Sequence, residues 1–252
     1  MSGVVTRNPI KQHMIVRFTD EGWDIILQRH HAYIATILLD ALAWPLAKNN
    51  RIDLLVATSE HDNDYNEFCR TDLLNAAGAP RDFTMEPFRQ TDCERLLWEG
   101  VAKSPLVGLL LSHHIQFVHA PQSTEAAAYC HRLKPLQRRL RNQAGIQVAE
   151  SRKLYAVLQW CDALSLIICQ QQIPVEGRRL EISRGPEAEP YWIQGLTSTT
   201  ATVTPWPFEK STVPISIVRR SIKKLQFNND QEFQKELHQA PINVDMFTLR
   251  ET

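Results

Sequence analysis

Glu60-His61-Asp62-Asn63 closes an apolar, helix-like run, Ile52 to Ser59. Adjacent His and Asp side chains can seize one metal ion with one nitrogen and one oxygen. Alone the dipeptide carries little weight: with nine His and twelve Asp in 252 residues, a shuffled chain holds about 0.4 such pairs. Its weight comes from its company, a His on an earlier apolar stripe and a His and an Asp on two later ones.

Asp162 sits in a long helical pattern with Tyr155 and Leu158 behind it and Leu166 and Cys169 ahead. These neighbours are largely apolar, so the carboxylate is expected to point into the core. A buried carboxylate costs several kcal/mol unless it is neutralised, paired or bound to metal. His114 shares a stripe with Val107, Leu110, Leu111, Phe117 and Val118, whereas His113 has Gln116 ahead of it, so His114 is the better buried candidate. His31 aligns with Leu27, Ala35, Leu38 and Leu42, and His30 with Tyr33, Ile34 and Ile37; both faces are apolar, which leaves that pair open. For any one of these residues a hydrogen-bonded core role is the simpler reading. Jointly, four separate helices each bring a metal-ligand residue type to an apolar face, as helix bundles do when they build metal sites. Two imidazoles and two carboxylates suit a divalent transition metal such as iron, manganese, cobalt or zinc, as one or two ions.

The elements that must position these residues are legible from periodicity. Met14 to Phe18, a turn at Asp20-Glu21-Gly22 and Trp23 to Leu27 predict a β-hairpin. Helical spacing covers Arg29 to about Lys48, Ile52 to His61, Thr91 to Lys103, Pro105 to Val118, Thr124 to Asn142 and Val148 to Gln172. Ser104-Pro105 and Ser123-Thr124 supply helix starts. Between Asn63 and Gln90 the pattern is irregular. Beyond Pro174 alternating β-branched residues predict antiparallel strands, with one late helix near Asp230 to His238 and a last strand near Val244 to Leu249. The expected fold is therefore mainly α (α+β): a hairpin over 1–28 packing on a cap, a helical domain over 29–173, and a β-rich cap over 174–252.

Composition excludes more than it assigns. Apolar residues make up 43% and charged residues 22%, and the formal net charge is zero, so no global field favours nucleic acid or a membrane surface. No apolar run is long enough for a membrane span, and the first twelve residues lack the apolar segment of a secretory signal. The five cysteines form no CxxC pair, which suits a reducing, cytoplasmic setting. No P-loop, dinucleotide fingerprint or GxSxG elbow is present. His131 to Arg141 holds five Lys and Arg residues and no acid; a solvated helix face is the expected role, with anion binding as the alternative.

The order His31, His61-Asp62, Asp162 resembles the H…HD…D pattern of the HD superfamily of metal-dependent hydrolases. More closely, the chain resembles a bacterial domain family of unknown function. That likeness rests on Met14-Ile15-Val16-Arg17, Gln28-x-x-His31-Ala32, Glu60-His61-Asp62-Asn63, the Leu-Leu-Ser-x-His run ending at His114, Gln159-x-x-Asp162-x-Leu164-Ser165-Leu166 and Pro205-Trp206-Pro207-Phe208. The HD resemblance implies an HD-like helical bundle in which His31, His61, Asp62 and Asp162 ligate one metal. It also implies that His114 serves a second metal or a substrate phosphate. Glu60 is a candidate general base or a partner that orients a ligand histidine. Many HD phosphohydrolases carry a lysine soon after the HD pair, where this chain has Asn63, Asp64 and Tyr65.

The function these residues predict is a metal-dependent hydrolase, a phosphohydrolase of a small anionic or nucleotide-like substrate. Two alternatives use the same residues: a di-iron oxygenase drawing on His114 with His119 or His131, and a non-catalytic metal- or ligand-binding module. Homo-oligomerisation is compatible with either.

Overall fold

The computed structural model describes residues 14–45, 48–63, 72–85 and 87–252. Seven strands form one sheet in the order β1-β2-β6-β7-β5-β4-β3. These are β1 (Met14–Thr19), β2 (Gly22–Leu27), β3 (Leu180–Arg184), β4 (Pro190–Thr197), β5 (Thr200–Thr204), β6 (Thr212–Ile222) and β7 (Ile242–Arg250). The helices are α1 (Gln28–Ala41), α2 (Lys48–Glu60), α3 (Gln90–Lys103), α4 (Pro105–His119), α5 (Thr124–Arg132), α6 (Lys134–Gln143), α7 (Val148–Cys169) and α8 (Asp230–Gln239).

This corrects the expected mainly helical, HD-like bundle. The protein is α+β, and its strands belong to a mixed sheet rather than to an antiparallel cap. The hairpin pairs through β2 with β6, Trp23 opposite Ile222, and β5 runs parallel to β7, Thr200 opposite Thr248. Periodicity located the strands but could not pair them, because partners distant in sequence leave no mark on either segment.

The chain divides into two compact units. One comprises the described parts of Met1–Leu27, Tyr65–Pro87 and Arg219–Asn243. Its core is Met14, Ile25, Leu73, Ile222, Phe227, Phe233 and Leu237. At the start of α8, Asn229 caps the helix by accepting from the Glu232 amide. Asp230 in the first turn accepts from the amides of Asp72 and Leu73, which ties the 72–80 loop to the helix.

The other unit comprises Gln28–Asp64, Phe88–Val218 and Val244–Thr252 and carries every proposed metal ligand. Here α1 packs on α2 and α7, and α4 packs on α2, α3, α6 and α7. Helices α3 and α4 meet where neither has a side chain: a Cβ on Gly108 would lie 2.5 Å from Val101 Cγ2, and one on Gly100 2.5 Å from Leu111 Cδ1. The Pro-Trp-Pro-Phe turn docks at the end of α1, with the Pro207 carbonyl accepting from the Ala43 amide at 2.9 Å. Phe208 stacks on Trp160, the largest fully buried side chain, at 6.1 Å between centroids.

The expected single helix over 124–142 is two, α5 and α6, joined at Leu133. Pro135 has no amide hydrogen to donate to the preceding turn, so the ladder is interrupted there. Helix α4 starts as expected, with Pro105 in its first turn and the Ser104 side chain accepting from the Val107 amide at 3.1 Å. Replacing this cap, Ser104→Ala, is predicted to cost about 1 kcal/mol, read as a lowered urea midpoint at an unchanged slope.

Candidate metal centre

Four helices converge on one buried cluster. His31 comes from α1, His61 and Asp62 from the turn that ends α2, His114 from α4 and Asp162 from α7. His31, His114 and Asp162 sit on buried stripes because neighbours one turn away build the core: Ile34 and Ala35 for His31, Leu110 and Leu111 for His114, and Leu158 for Asp162. His31 and His61 are fully buried, and Asp62 retains 20% of its side-chain surface, so solvent reaches the cluster over Asp62.

The contacts are close. His31 Nε2 lies 2.7 Å from Asp62 Oδ2, and His61 Nε2 lies 3.2 Å from Asp162 Oδ1 and 3.6 Å from Asp62 Oδ2. His114 Nε2 lies 3.3 Å from Asp62 Oδ1. One donor atom each from His31, His61 and Asp62 fall within 4.8 Å of one another, as do those of His61, His114 and Asp162. Ligands bound near 2.0–2.2 Å from a common ion stand roughly 3–4 Å apart, so each of the two triads, which share His61, has spacings near those of an ion's ligands.

The outer hydrogen bonds decide which nitrogen each imidazole presents. The Ser165 hydroxyl donates to the Asp162 carbonyl at 2.8 Å, so its oxygen accepts the Nδ1 hydrogen of His31 at 3.0 Å. His61 Nδ1 donates to the Thr58 carbonyl at 2.7 Å. Nε2 of each ring therefore faces carboxylate oxygens, a position that a proton or a cation can occupy. Gln28 Nε2 donates to Asp62 Oδ2 at 2.9 Å and orients that carboxylate. Metal-binding histidines are held in this way, with the far nitrogen donating to a carbonyl or hydroxyl.

The sequence pointed to the cluster but not to these supports. Only Thr58 lies three residues from the group it serves, His61; Gln28 reaches Asp62 and Ser165 reaches His31 from other helices, partners that no local spacing reveals. The structure also separates the double histidines. His30 Nε2 meets the Ser216 carbonyl at 3.1 Å and the Val218 amide at 2.8 Å, and His113 Nε2 meets Ser151 Oγ at 3.0 Å, so neither joins the cluster. Nor does Glu60, whose carboxylate accepts from Asn63 Nδ2 at 2.6 Å and faces Lys103 Nζ at 3.7 Å. His119 packs on Phe88 and contacts Gln122, and His131 is exposed. Asp64 and Tyr65 lie outside the described residues.

Electrostatics follow from the geometry. Burial alone would push the His61 imidazole down, but Asp62 and then Asp162 pull it up to about 9. Burial acts to raise both carboxyl groups, yet the imidazoles hold Asp62 well below the usual range and Asp162 below it. His113 goes the other way, to about 4, through burial first and then the charges of Arg141 and Arg152. Burial, with Asp162 and Asp62 beyond it, keeps the Tyr155 phenol protonated. Cys93, Cys130, Cys161 and Cys169 are buried and form no disulfide among the described residues, and Cys69 lies outside them.

A family model described as "Protein of unknown function (DUF3891)" matches residues 14–224. The chain belongs to that family. No curated protein and no solved structure matches it, so the expected kinship with HD hydrolases finds no support there. The DUF3891 match spans all five clustered residues and all three of their supports. Among the described residues no helix is long and apolar enough to cross a membrane.

Two predictions follow from the cluster. Removing the Ser165 hydroxyl (Ser165→Ala) frees the His31 ring and is expected to weaken metal affinity by about 10–100-fold, measured by competition with a chelating dye. The second concerns pH in the metal-free protein. His61 is raised above its ordinary 6.5, so its contribution is fully present below 6.5 and is lost as pH climbs through about 9. The two carboxylates are lowered from 3.8, so theirs is present above 3.8 and is lost as pH falls through their folded-state values. Metal-free protein should therefore be most stable between about 4 and 6.5. A metal ion bound here would displace the His61 proton, so the rise in melting temperature on adding zinc or cobalt should grow from pH 6.5 to 9.

Proposed function

We propose that this protein is a divalent-metal-dependent hydrolase acting on a small anionic ester. In this reading His31, His61, Asp62 and Asp162 hold the ion, and His114 stands beside it over Asp62. One observation carries the reading: the Nε2 lone pairs of His31 and His61 are fixed against carboxylate oxygens by their own outer hydrogen bonds. Two imidazoles and two carboxylates suit zinc, manganese, cobalt or iron better than magnesium or calcium, which prefer oxygen alone.

A divalent ion held there lowers the pKa of a coordinated water towards neutrality and polarises a phosphoryl or carbonyl oxygen. The chain's own residues supply the rest. His31 and His61 are held rigidly by Ser165 and Thr58, and Asp62 is held by Gln28. Of the clustered histidines, His114 has a ring nitrogen, Nδ1, buried without a partner among the described residues, which suits it to exchange a proton with or donate to a bound ligand. Glu60, engaged by Asn63 and Lys103, has no part in this scheme. The oxygenase alternative would need further histidines, and His119 and His131 are turned elsewhere.

Elemental analysis of the full chain, with a phosphoesterase screen, tests the proposal. The wild type should carry about one transition-metal ion and turn over a small phosphoester, and Asp62→Ala should lose both. Turnover that survives metal removal would refute the hydrolase reading, and bound metal without turnover on any ester would favour a non-catalytic binding module.

A further inference from the structure

We infer that the outward face of α6, with Arg132 at the end of α5, is a docking surface for the phosphate backbone of a nucleic-acid duplex. Neither helix carries a metal ligand, so the surface stands independently of the metal reading.

The zero net charge of the chain conceals a local imbalance. From Ala126 to Ala149 there are five Lys and Arg residues, Arg132, Lys134, Arg138, Arg139 and Arg141, and no Asp or Glu. The fold turns these charges outward together. Ala126, Tyr129, Cys130, Leu133 and Leu140 are buried, and Gln137 ties the inner face of α6 to α4 by donating to the Ser112 carbonyl at 3.4 Å and to Gln116 Oε1 at 3.2 Å. At roughly 100° per residue, Arg138 and Lys134 then point away from α4, with Arg139 on one flank and Arg141 on the other. Their exposure agrees: Arg132, Lys134, Arg138 and Arg139 are exposed and Arg141 is half-buried.

The protein supplies no counter-charge to this face. Arg132 donates to Gln90 Oε1 at 3.0 Å and lies 5.7 Å from the centre of the Tyr129 ring, so it is held without being neutralised. Among the described residues the side chains of Lys134, Arg138, Arg139 and Arg141 make no ion pair. Other exposed cations do find acids, as Arg51 does with Asp40, Lys153 with Glu187 and Arg178 with Glu176. Lys134 and Arg138 are four residues apart and Arg138 and Arg141 three, so the like charges face one another along one helix and weaken it. A polyanion laid across them relieves that repulsion.

Charge density and shape select the partner. From Lys134 to Arg141 the helix rises about 10 Å and carries four cations, one about every 3 Å. Each strand of a duplex carries one phosphate per roughly 3.4 Å of axis, so the two rows of charge match. The guanidinium fork fits phosphate oxygens two at a time. No large apolar side chain of α5 or α6 is exposed, whereas a helix that lies in a bilayer surface needs an apolar face to bury there. Nor is any aromatic ring of these helices exposed for an unpaired base to stack on. The face is built to grip phosphates without reading sequence.

Fluorescence anisotropy of the full chain with a labelled DNA duplex of mixed sequence tests the surface. The wild type should bind at about 50 mM salt, and log affinity should fall against log salt with a slope of roughly −3 to −4, as about four phosphate contacts require. The Arg138→Gln/Arg139→Gln variant should lose about tenfold or more in affinity at that salt and flatten the slope by about two. The Arg178→Gln/Arg179→Gln variant, which removes two exposed charges elsewhere, should stay within about twofold of wild type, and both should keep the wild-type circular dichroism. No duplex binding by the wild type, or unchanged binding by the Arg138/Arg139 variant, overturns the surface. An equal loss in the Arg178/Arg179 variant reduces the effect to overall charge and overturns it too. Phosphatidylserine vesicles that bind the wild type more tightly than the duplex does assign the face to a membrane surface and overturn the nucleic-acid reading.

Discussion

Two imidazole nitrogens pressed against carboxylate oxygens make a contact that neither partner can sustain alone. Nε2 of His31 stands 2.7 Å from Asp62 and Nε2 of His61 stands 3.2 Å from Asp162, and in both rings the hydrogen sits on the far nitrogen. A proton or a cation can occupy the gap. In the metal-free protein a proton can do so, which is why the carboxylates hold the His61 imidazole at about 9. A divalent cation satisfies several of these contacts at once, where a proton satisfies one. The helical half of the protein can be understood as the scaffold that holds this contact.

That scaffold works mostly between helices. Gln28 of α1 donates to Asp62 at the end of α2, and Ser165 of α7 accepts from His31 of α1 while donating to the Asp162 carbonyl. Only the Thr58 carbonyl acts within its own helix, on His61, where α2 ends and its last carbonyls lack helical partners. The packing of α1 on α2 and α7, and of α4 on α2 and α7, brings these groups together. Gly100 and Gly108 let α3 lie hard against α4.

The candidate site was legible in sequence to the extent that burial has a period. Asp162 and His114 stood out because apolar neighbours at helical spacing leave a polar side chain nowhere else to point. His30 and His31 could not be separated in that way, since both faces of α1 are apolar; only Ser216 and Val218 of β6, distant in sequence, show where His30 goes. Glu60 was the opposite case. Adjacency to His61 suggested a shared task, but at the end of α2 one residue is a rotation of roughly 100°. Its side chain faces Lys103 instead. The sheet was the least legible part. The β-branched runs marked their own strands, but the pairing of the hairpin with β6 and the parallel contact of β5 with β7 depend on partners far along the chain. An expectation of separate hairpin, bundle and cap followed from reading segments in order.

X-ray absorption at the metal edge of the cobalt- or zinc-loaded protein reads the ligand set itself. The expected first shell is nitrogen and oxygen only, at about 2.0–2.2 Å, with the outer-shell scattering of at least two imidazoles. His61→Ala should remove one imidazole from that pattern. A shell containing sulfur at about 2.3 Å, or one without imidazole scattering, would contradict it.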